Sequence, residues 1–271
     1  MSARIEFRGD ALYVVLDNAA RRNALDDASF TTLREAVRVA ERDKPAAFVI
    51  TGAGDTFTAG GDLLWFSKLA AEDGRKQLLD VFVDAANIMW ALEELDCPII
   101  AGVNGVCVAG GLEIVCFADI VVATHSATFA DGHARVGLLP LAGTVDRLVA
   151  RVGSANACRM LLTGTVIDAA EACRIGLVSE IVPDGHLPEA LDRICQEIAA
   201  RPAPVTAAMT RLARRVDKDR KRARQKELDE ALANAVRPHV QECLQAFRER
   251  REPNFAHQRR TESAAAKRRQ P

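Results

Sequence analysis

The stretch Pro98-Ile99-Ile100-Ala101-Gly102-Val103-Asn104-Gly105-Val106-Cys107-Val108-Ala109-Gly110-Gly111-Leu112-Glu113 holds three structural signals in order. Ile99 to Val103 is a short apolar run after a proline, the pattern of a strand buried on both faces. Asn104 to Gly110 is a glycine-rich turn. A short helix near Gly110 to Phe117 follows, and then a strand from Asp119 to Thr124. The same grammar stands upstream, where a strand (Ala46 to Thr51) leads into a glycine-rich loop (Gly52 to Asp62) holding Phe57-Thr58-Ala59-Gly60-Gly61-Asp62-Leu63, and then a helix of about Arg75 to Leu95. Strands alternating with helices argue for an α/β layer structure with right-handed crossovers.

Outward from these blocks, Ile5 to Arg8 and Ala11 to Leu16 flank a Gly9-Asp10 turn and read as a hairpin. Asp27 is placed to cap a helix running to about Arg42, with Phe30, Leu33, Val37 and Ala40 at helical spacing and Pro45 as its stop. Beyond Gly153 the pattern is mostly helical, with one strand (Leu177 to Val182) after Gly176, which stands where a left-handed helix stop belongs. After Arg201-Pro202-Ala203-Pro204 two charged amphipathic segments follow, about Val205 to Val216 and Lys221 to Arg250, the second kinked or split by Pro238. The chain divides into a core (1–200), a helical C-terminal region (201–256) and a basic tail (257–271) that has no apolar face and reads as frayed.

With 271 residues and 49% hydrophobic content, the chain has enough apolar side chains for a sizeable core, which excludes disorder over most of its length. The net charge of -1 demands neither nucleic acid nor an anionic membrane, yet it hides an asymmetry. From Arg201 onward 19 basic residues face 9 acidic ones, so the first 200 positions are strongly acidic. Seven scattered cysteines without a CxxC pair argue against metal-finger and redox motifs and fit reduced thiols in a cytoplasmic protein. The N-terminus lacks the apolar core of a signal peptide, and the most apolar stretch, Pro98 to Ala123, is interrupted by Asn104, Glu113 and Asp119, so no membrane span is expected.

Nucleotide-binding, P-loop, serine-hydrolase and zincin motifs are missing, and no metal or redox cofactor is expected. What remains is the pair of glycine turns, each opening a helix. Glycine lets a backbone come close to a ligand, and helix N-termini offer unpaired N–H groups, so two such turns facing each other would form an oxyanion hole; as residue types alone they are more often plain connections. Glu113 stands among Leu112, Ile114, Val115 and Cys116, where a charge is costly to bury. It is either a carboxylate satisfied by the helix N-terminus or a general acid/base lining a pocket. Cys107 and Cys116 read as core residues.

Asn23-Ala24-Leu25, Phe57 to Leu63, the Pro98 to Asp119 block, Arg135-Val136-Gly137-Leu138-Leu139-Pro140, Ala169-Ala170-Glu171-Ala172 with Gly176-Leu177-Val178, and Phe247-Arg248-Glu249-Arg250-Arg251-Glu252-Pro253 occur in an order that resembles the crotonase (enoyl-CoA hydratase/isomerase) superfamily, over about residues 4 to 255. The resemblance implies an α/β spiral of ββα units, a helical C-terminal region used in trimer or hexamer assembly, and an acyl-CoA thioester ligand whose coenzyme A is part of the substrate. It puts oxyanion donors at Gly61 and Gly110 and an acid/base at Glu113, with CoA contacts at Arg22, Ala24, Ala59, Asp62, Leu63 and Phe255. The second hydratase glutamate falls on His133, a departure from the family pattern. Histidine can still move a proton near neutral pH, although Asp131 and Arg135 could instead hold His133 in a structural network. Trp65, Phe66 and Trp90 either pack cores or line an acyl pocket.

The expected activity is hydration of a trans-2-enoyl-CoA or the reverse dehydration, with a double-bond isomerase, thioester hydrolase or C–C lyase as alternatives on the same scaffold. A rival of another class is a non-catalytic protein whose basic C-terminal quarter binds RNA or a protein partner.

Overall fold

A computed structural model describes residues 2–71, 75–214 and 218–254. The chain opens with the expected hairpin of β1 (Ala3–Arg8) and β2 (Ala11–Leu16), closed by Arg8 opposite Ala11. Helix α1 (Asp27–Asp43) is capped by Asp26 and not by Asp27. Asp26 has the extended backbone a cap needs, and its carboxylate accepts the Ser29 N–H at 2.9 Å, while Asp27 lies in the first turn.

Three ββα passes then follow, each with one strand in a large sheet and a three-residue strand in a small one. The first is β3 (Ala47–Gly52), β4 (Thr56–Thr58), α2 (Leu63–Ala71) and α3 (Arg75–Glu93). The second is β5 (Ile99–Val103), β6 (Val106–Val108) and α4 (Gly110–Phe117). The third is β7 (Ile120–Thr124), β8 (Thr128–Ala130) and α5 (Thr144–Thr163). With two later strands, β9 (Ile167–Asp168) and β10 (Glu180–Val182), the large sheet has the order β1-β2-β3-β5-β7-β10 and is parallel except at the hairpin; the small sheet has the order β4-β6-β8-β9. This is the crotonase-like spiral. Helix α5 starts well before Gly153, the expected onset of helix, and passes through Gly153 as a kink at φ +76.

After β9 (Ile167–Asp168) and α6 (Ala169–Arg174), Gly176 adopts φ +84 and ends the helix as expected. The strand behind it is shorter than expected. The Leu177 and Val178 N–H groups turn back to the Ala172 carbonyl, so β10 begins only at Glu180 and ends at Val182. Helices α7 (Leu187–Ala199), α8 (Ala203–Arg214), α9 (Lys218–Ala235) and α10 (Pro238–Glu249) complete the described chain, Pro238 splitting the last two as expected.

Alternation along the strands sends Leu12, Val14, Phe48, Ile50 and Ile99 into the main core under α1, α3 and α4. Tyr13, Val15, Val49 and Ile100 meet Leu187, Leu191 and Ile194 of α7 on the other face. Part of the positive C-terminal charge turns inward. Arg214 is buried and donates to the carbonyls of Glu93 (2.8 Å), Leu95 (2.6 Å) and Cys97 (2.9 Å), satisfying the end of α3, and to Asp119. Glu93, with no exposed side-chain surface, pairs with Arg147 of α5 and Arg224 of α9, which ties the C-terminal helices to the core. Among the described residues no helix is long and apolar enough to cross a membrane, and no His/Cys/Asp/Glu cluster suits a metal ion.

Candidate active site

The two glycine turns lie against each other at the junction of the small sheet with α2 and α4. A Cβ on Gly60, whose φ is +88, would fall 2.9 Å from the Ala109 Cβ and 3.1 Å from the Gly110 nitrogen, so only glycine lets the turns approach this closely. Ala109 itself is held at φ 50, a strained value for a residue with a side chain. Leu25 bridges to the first turn through Leu25 N–H to Gly60 O and Asp62 N–H to Leu25 O, bonds in which the Gly61 N–H takes no part. Gly110 is the first residue of α4, where N–H groups find no acceptor within the helix.

One turn further along α4, Glu113 is 8% exposed. Its Oε1 accepts the Leu141 N–H at 2.5 Å and the Thr144 hydroxyl at 3.3 Å. Its Oε2 lies 3.9 Å from His133 Nε2. Burial pushes the Glu113 carboxyl above the usual carboxylate range, against the pull of His133 and the Leu141 N–H. His133, equally buried, is hydrogen-bonded through Nδ1 to Asp131 Oδ1. Burial pulls the imidazole down, but the Asp131 bond and the Glu113 charge outweigh it and hold His133 above the usual histidine range. An aspartate on Nδ1 fixes the proton there and turns Nε2 toward Glu113. Arg135 takes no part, since it donates to the Gly164 carbonyl at 2.7 Å.

One pocket has Gly61, Gly110, Glu113 and His133 on its wall, facing Phe30, Phe66, Phe82, Met89, Leu138 and Leu141. Phe66 and Phe82 meet edge to face at 5.3 Å. A second pocket, reached past Gly61, Phe66 and His133, is lined by Ala59, Leu63, Val108 and Arg135 among others. The fold thus brings together Gly61, Gly110, Glu113 and His133, with Ala59 and Leu63 next door.

The remaining expected contacts fall elsewhere. Asp62 is 5% exposed and engaged within the protein: Oδ1 caps α2 by accepting the Leu64 and Trp65 N–H groups, and Oδ2 pairs with Arg21. Arg22 and Ala24 lie on the turn before α1 and line neither pocket; the Arg22 carbonyl accepts the Ala59 N–H at 3.0 Å. Phe255 lies outside the described residues. Of the aromatic candidates, Phe66 lines the pocket, Trp65 packs between Phe30 and Phe66, and Trp90 donates to the Ala142 carbonyl. Cys107 and Cys116 are buried, and burial pushes the Cys116 thiol up to about 12, which suits core residues.

Three contributors escape sequence reasoning: the Leu141 N–H, the Thr144 hydroxyl, and Glu227 on α9. Glu227 accepts the N–H groups of Gly143 (2.8 Å), Thr144 (2.7 Å) and Val145 (3.0 Å) at the start of α5. Burial raises its carboxyl to about 7 against those bonds.

Residues 6–258 match the enoyl-CoA hydratase/isomerase family. The chain is 33% identical over 257 residues to enoyl-CoA hydratase EchA19 of Mycobacterium tuberculosis, covering 93% of this chain and 96% of that protein. It is 32% identical over 249 residues to 2,3-dehydroadipyl-CoA hydratase of Escherichia coli, covering 90% and 94%. The crystal structure of an enoyl-CoA hydratase/isomerase from Pseudoalteromonas atlantica superposes with a TM-score of 0.83 at 28% identity, covering 94% of this chain and all of that one. A spiral of ββα passes and a match over nearly the whole chain agree, and the protein belongs to the enoyl-CoA hydratase/isomerase family.

Proposed function

We propose that the protein adds water across the double bond of a trans-2-enoyl-CoA, or runs the reverse dehydration. The observation that supports this reading is that Gly61, Gly110, Glu113 and His133 line one pocket with an apolar wall. The Gly61 and Gly110 N–H groups receive the thioester oxygen and stabilise the negative charge that develops there. Glu113, as carboxylate, takes a proton from water while the water oxygen bonds to C3 and the C2–C3 π electrons move into the enolate. His133, as imidazolium, gives its Nε2 proton to C2, and the enolate collapses to the 3-hydroxyacyl thioester. Proton donation by an imidazolium leaves a neutral ring where a glutamic acid would leave an anion, so the charge beside C2 differs from that of a two-glutamate site.

The balance needs no resident cofactor; coenzyme A arrives with the substrate. The wall of Phe30, Phe66, Phe82 and Met89 favours an apolar acyl group, because a carboxylate placed among them would lose its hydration without a partner. Assembly as a trimer or hexamer belongs to the same reading and is checked by light scattering.

The test is mass spectrometry of enoyl-CoA and acyl-CoA esters incubated with the protein in oxygen-18 water. A labelled 3-hydroxyacyl-CoA is expected. An unlabelled positional isomer would make the protein an isomerase, free CoA with a labelled acid a hydrolase, and an unchanged panel would overturn the reading.

A further inference from the structure

The segment from His133 to Val145 carries His133 and the groups that hold Glu113, with Asp131 two residues before it. His133 stands at its start, and the Leu141 N–H and Thr144 hydroxyl that hold Glu113 stand near its end. Within it, the His133 carbonyl accepts the Leu138 N–H at 3.0 Å, so the histidine backbone moves with the following loop.

Helix α9 grips this segment at two places. Glu227 accepts three consecutive N–H groups, Gly143 to Val145. Two helical turns later on the same face, Asn234, 8% exposed, donates its amide to the Gly137 carbonyl at 2.8 Å, and its own oxygen lies 3.0 Å from His239 Nε2. Close packing accompanies the bonds. A Cβ on Gly143, at φ +94, would meet the Arg224 Cβ at 2.8 Å, and one on Gly137, at φ +70, would meet the Cys243 Sγ of α10 at 2.9 Å. Both positions combine a left-handed backbone with no room for a side chain, so the loop keeps its path only while α9 and α10 lie against it.

We propose that Glu227 and Asn234 are positioning residues that set the placement of Glu113 and His133 from the C-terminal helices. The inference rests on the reading of Glu113 and His133 as the acid/base pair. Neither Glu227 nor Asn234 lines the pocket: Asn234 acts through the loop, and Glu227 acts through the loop and through its charge, which helps hold His133 above the usual histidine range. Their removal displaces the proton-moving groups, with Leu138 and Leu141 on the same loop, and leaves the glycine turns and the wall of Phe30, Phe66, Phe82 and Met89 standing. A displacement of roughly an ångström in such groups costs about 100-fold in turnover.

The experiment uses the full chain, with Glu227→Ala, Glu227→Gln and Asn234→Ala assayed on the best enoyl-CoA. Glu227→Ala is expected to lower kcat by about 10- to 100-fold with KM within about threefold of wild type. Glu227→Gln, which keeps an acceptor for the Gly143 and Thr144 N–H groups and loses the one for Val145, recovers part of that loss. Amide hydrogen exchange is followed in parallel. Peptides over 138–145 should exchange faster in Glu227→Ala, while those of the large sheet should not change. Should Glu227→Ala fail to fold, Asn234→Ala carries the test, with kcat again the parameter that falls. A folded Glu227→Ala with wild-type kcat and unchanged exchange over 138–145 overturns the proposal. If the wild-type protein turns over no thioester, the functional reading fails, and exchange alone decides whether α9 holds the loop.

Discussion

The two halves of the site are made of different material. One half is main chain: the Gly61 and Gly110 turns, set by adjacent passes of the spiral and locked by contacts a single Cβ would break. The other is side chain: Glu113 and His133, 3.9 Å apart, held by a loop that α9 secures. Main-chain donors cannot be removed by substitution, only displaced, and they cannot titrate. Side-chain acids and bases can be removed, exchanged and shifted. On the proposed function the first half is the cradle that receives a thioester oxygen, and the second, a glutamate beside an aspartate-held histidine, moves the protons.

The comparison is broken most sharply at Glu113. Glu113→Gln keeps the size of the side chain and an oxygen for the Leu141 N–H, but removes the base. Turnover is expected to fall by about 10³-fold with the fold intact. Binding of a saturated acyl-CoA, followed by calorimetry, should remain within a few-fold of wild type, because the walls and glycine turns are untouched. Full turnover by Glu113→Gln would make the glycine half sufficient and the acid/base half idle.

Asp131→Asn is the next largest. In the wild-type protein both members of the pair lie above their ordinary ranges, Glu113 through burial and His133 because the Asp131 bond and the Glu113 charge overcome burial. Hydration needs Glu113 ionised and His133 protonated, so kcat/KM should follow a bell. Its acid limb lies above the usual carboxylate range and its alkaline limb above the usual imidazole range, as properties of the coupled pair. Asparagine removes the anion that keeps the imidazolium, so the alkaline limb should move to lower pH and the maximum fall by about 100-fold. An unmoved alkaline limb would remove His133 from the reaction.

Gly60→Ala probes the main-chain half. At φ +88, with 2.9 Å to the Ala109 Cβ, alanine forces the turns apart, at a cost of about 2 kcal/mol in unfolding free energy. Denaturant melts measure this. The pH profile should keep its limbs, because no titrating group changes. Loss of activity with unshifted limbs is the signature that separates this half from the other.

What was legible in the sequence follows the same division. The glycine turns and the parallel strands before them stand out because they are local: a few adjacent residues carry the apolar run, the glycines and the helix start. Glu113 was legible because a charge among Leu112, Ile114 and Val115 needs a reason. The small sheet was not, since β4, β6 and β8 have three residues each, too few to display alternation. The cap of α1 shifts by one residue because Asp26 and Asp27 are equally good candidates on paper and only backbone geometry chooses between them. Glu227 was the least legible. It meets main-chain N–H groups 82 to 84 positions away, and main-chain donors carry no residue-type signal.

Glu227 also yields the smallest expected effect, one on stability. Burial lifts its carboxyl to about 7 in the folded protein, whereas the unfolded chain leaves it near the ordinary glutamate value of 4.5. Between those values the folded state binds more protons than the unfolded one, so this group's contribution is fully present below pH 4.5 and is lost as pH rises toward 7. Glu227→Gln abolishes the titration while keeping an acceptor for the start of α5. The fall in unfolding free energy between pH 4.5 and 7 should therefore be shallower in the variant, by on the order of 1 kcal/mol over the window. Urea melts at half-unit pH steps measure it. Parallel curves for the two proteins would mean that Glu227 is already ionised across this range, its three N–H bonds outweighing burial. In that case α9 grips the loop with a full charge, and Glu227→Gln should cost more turnover than a neutral grip would predict.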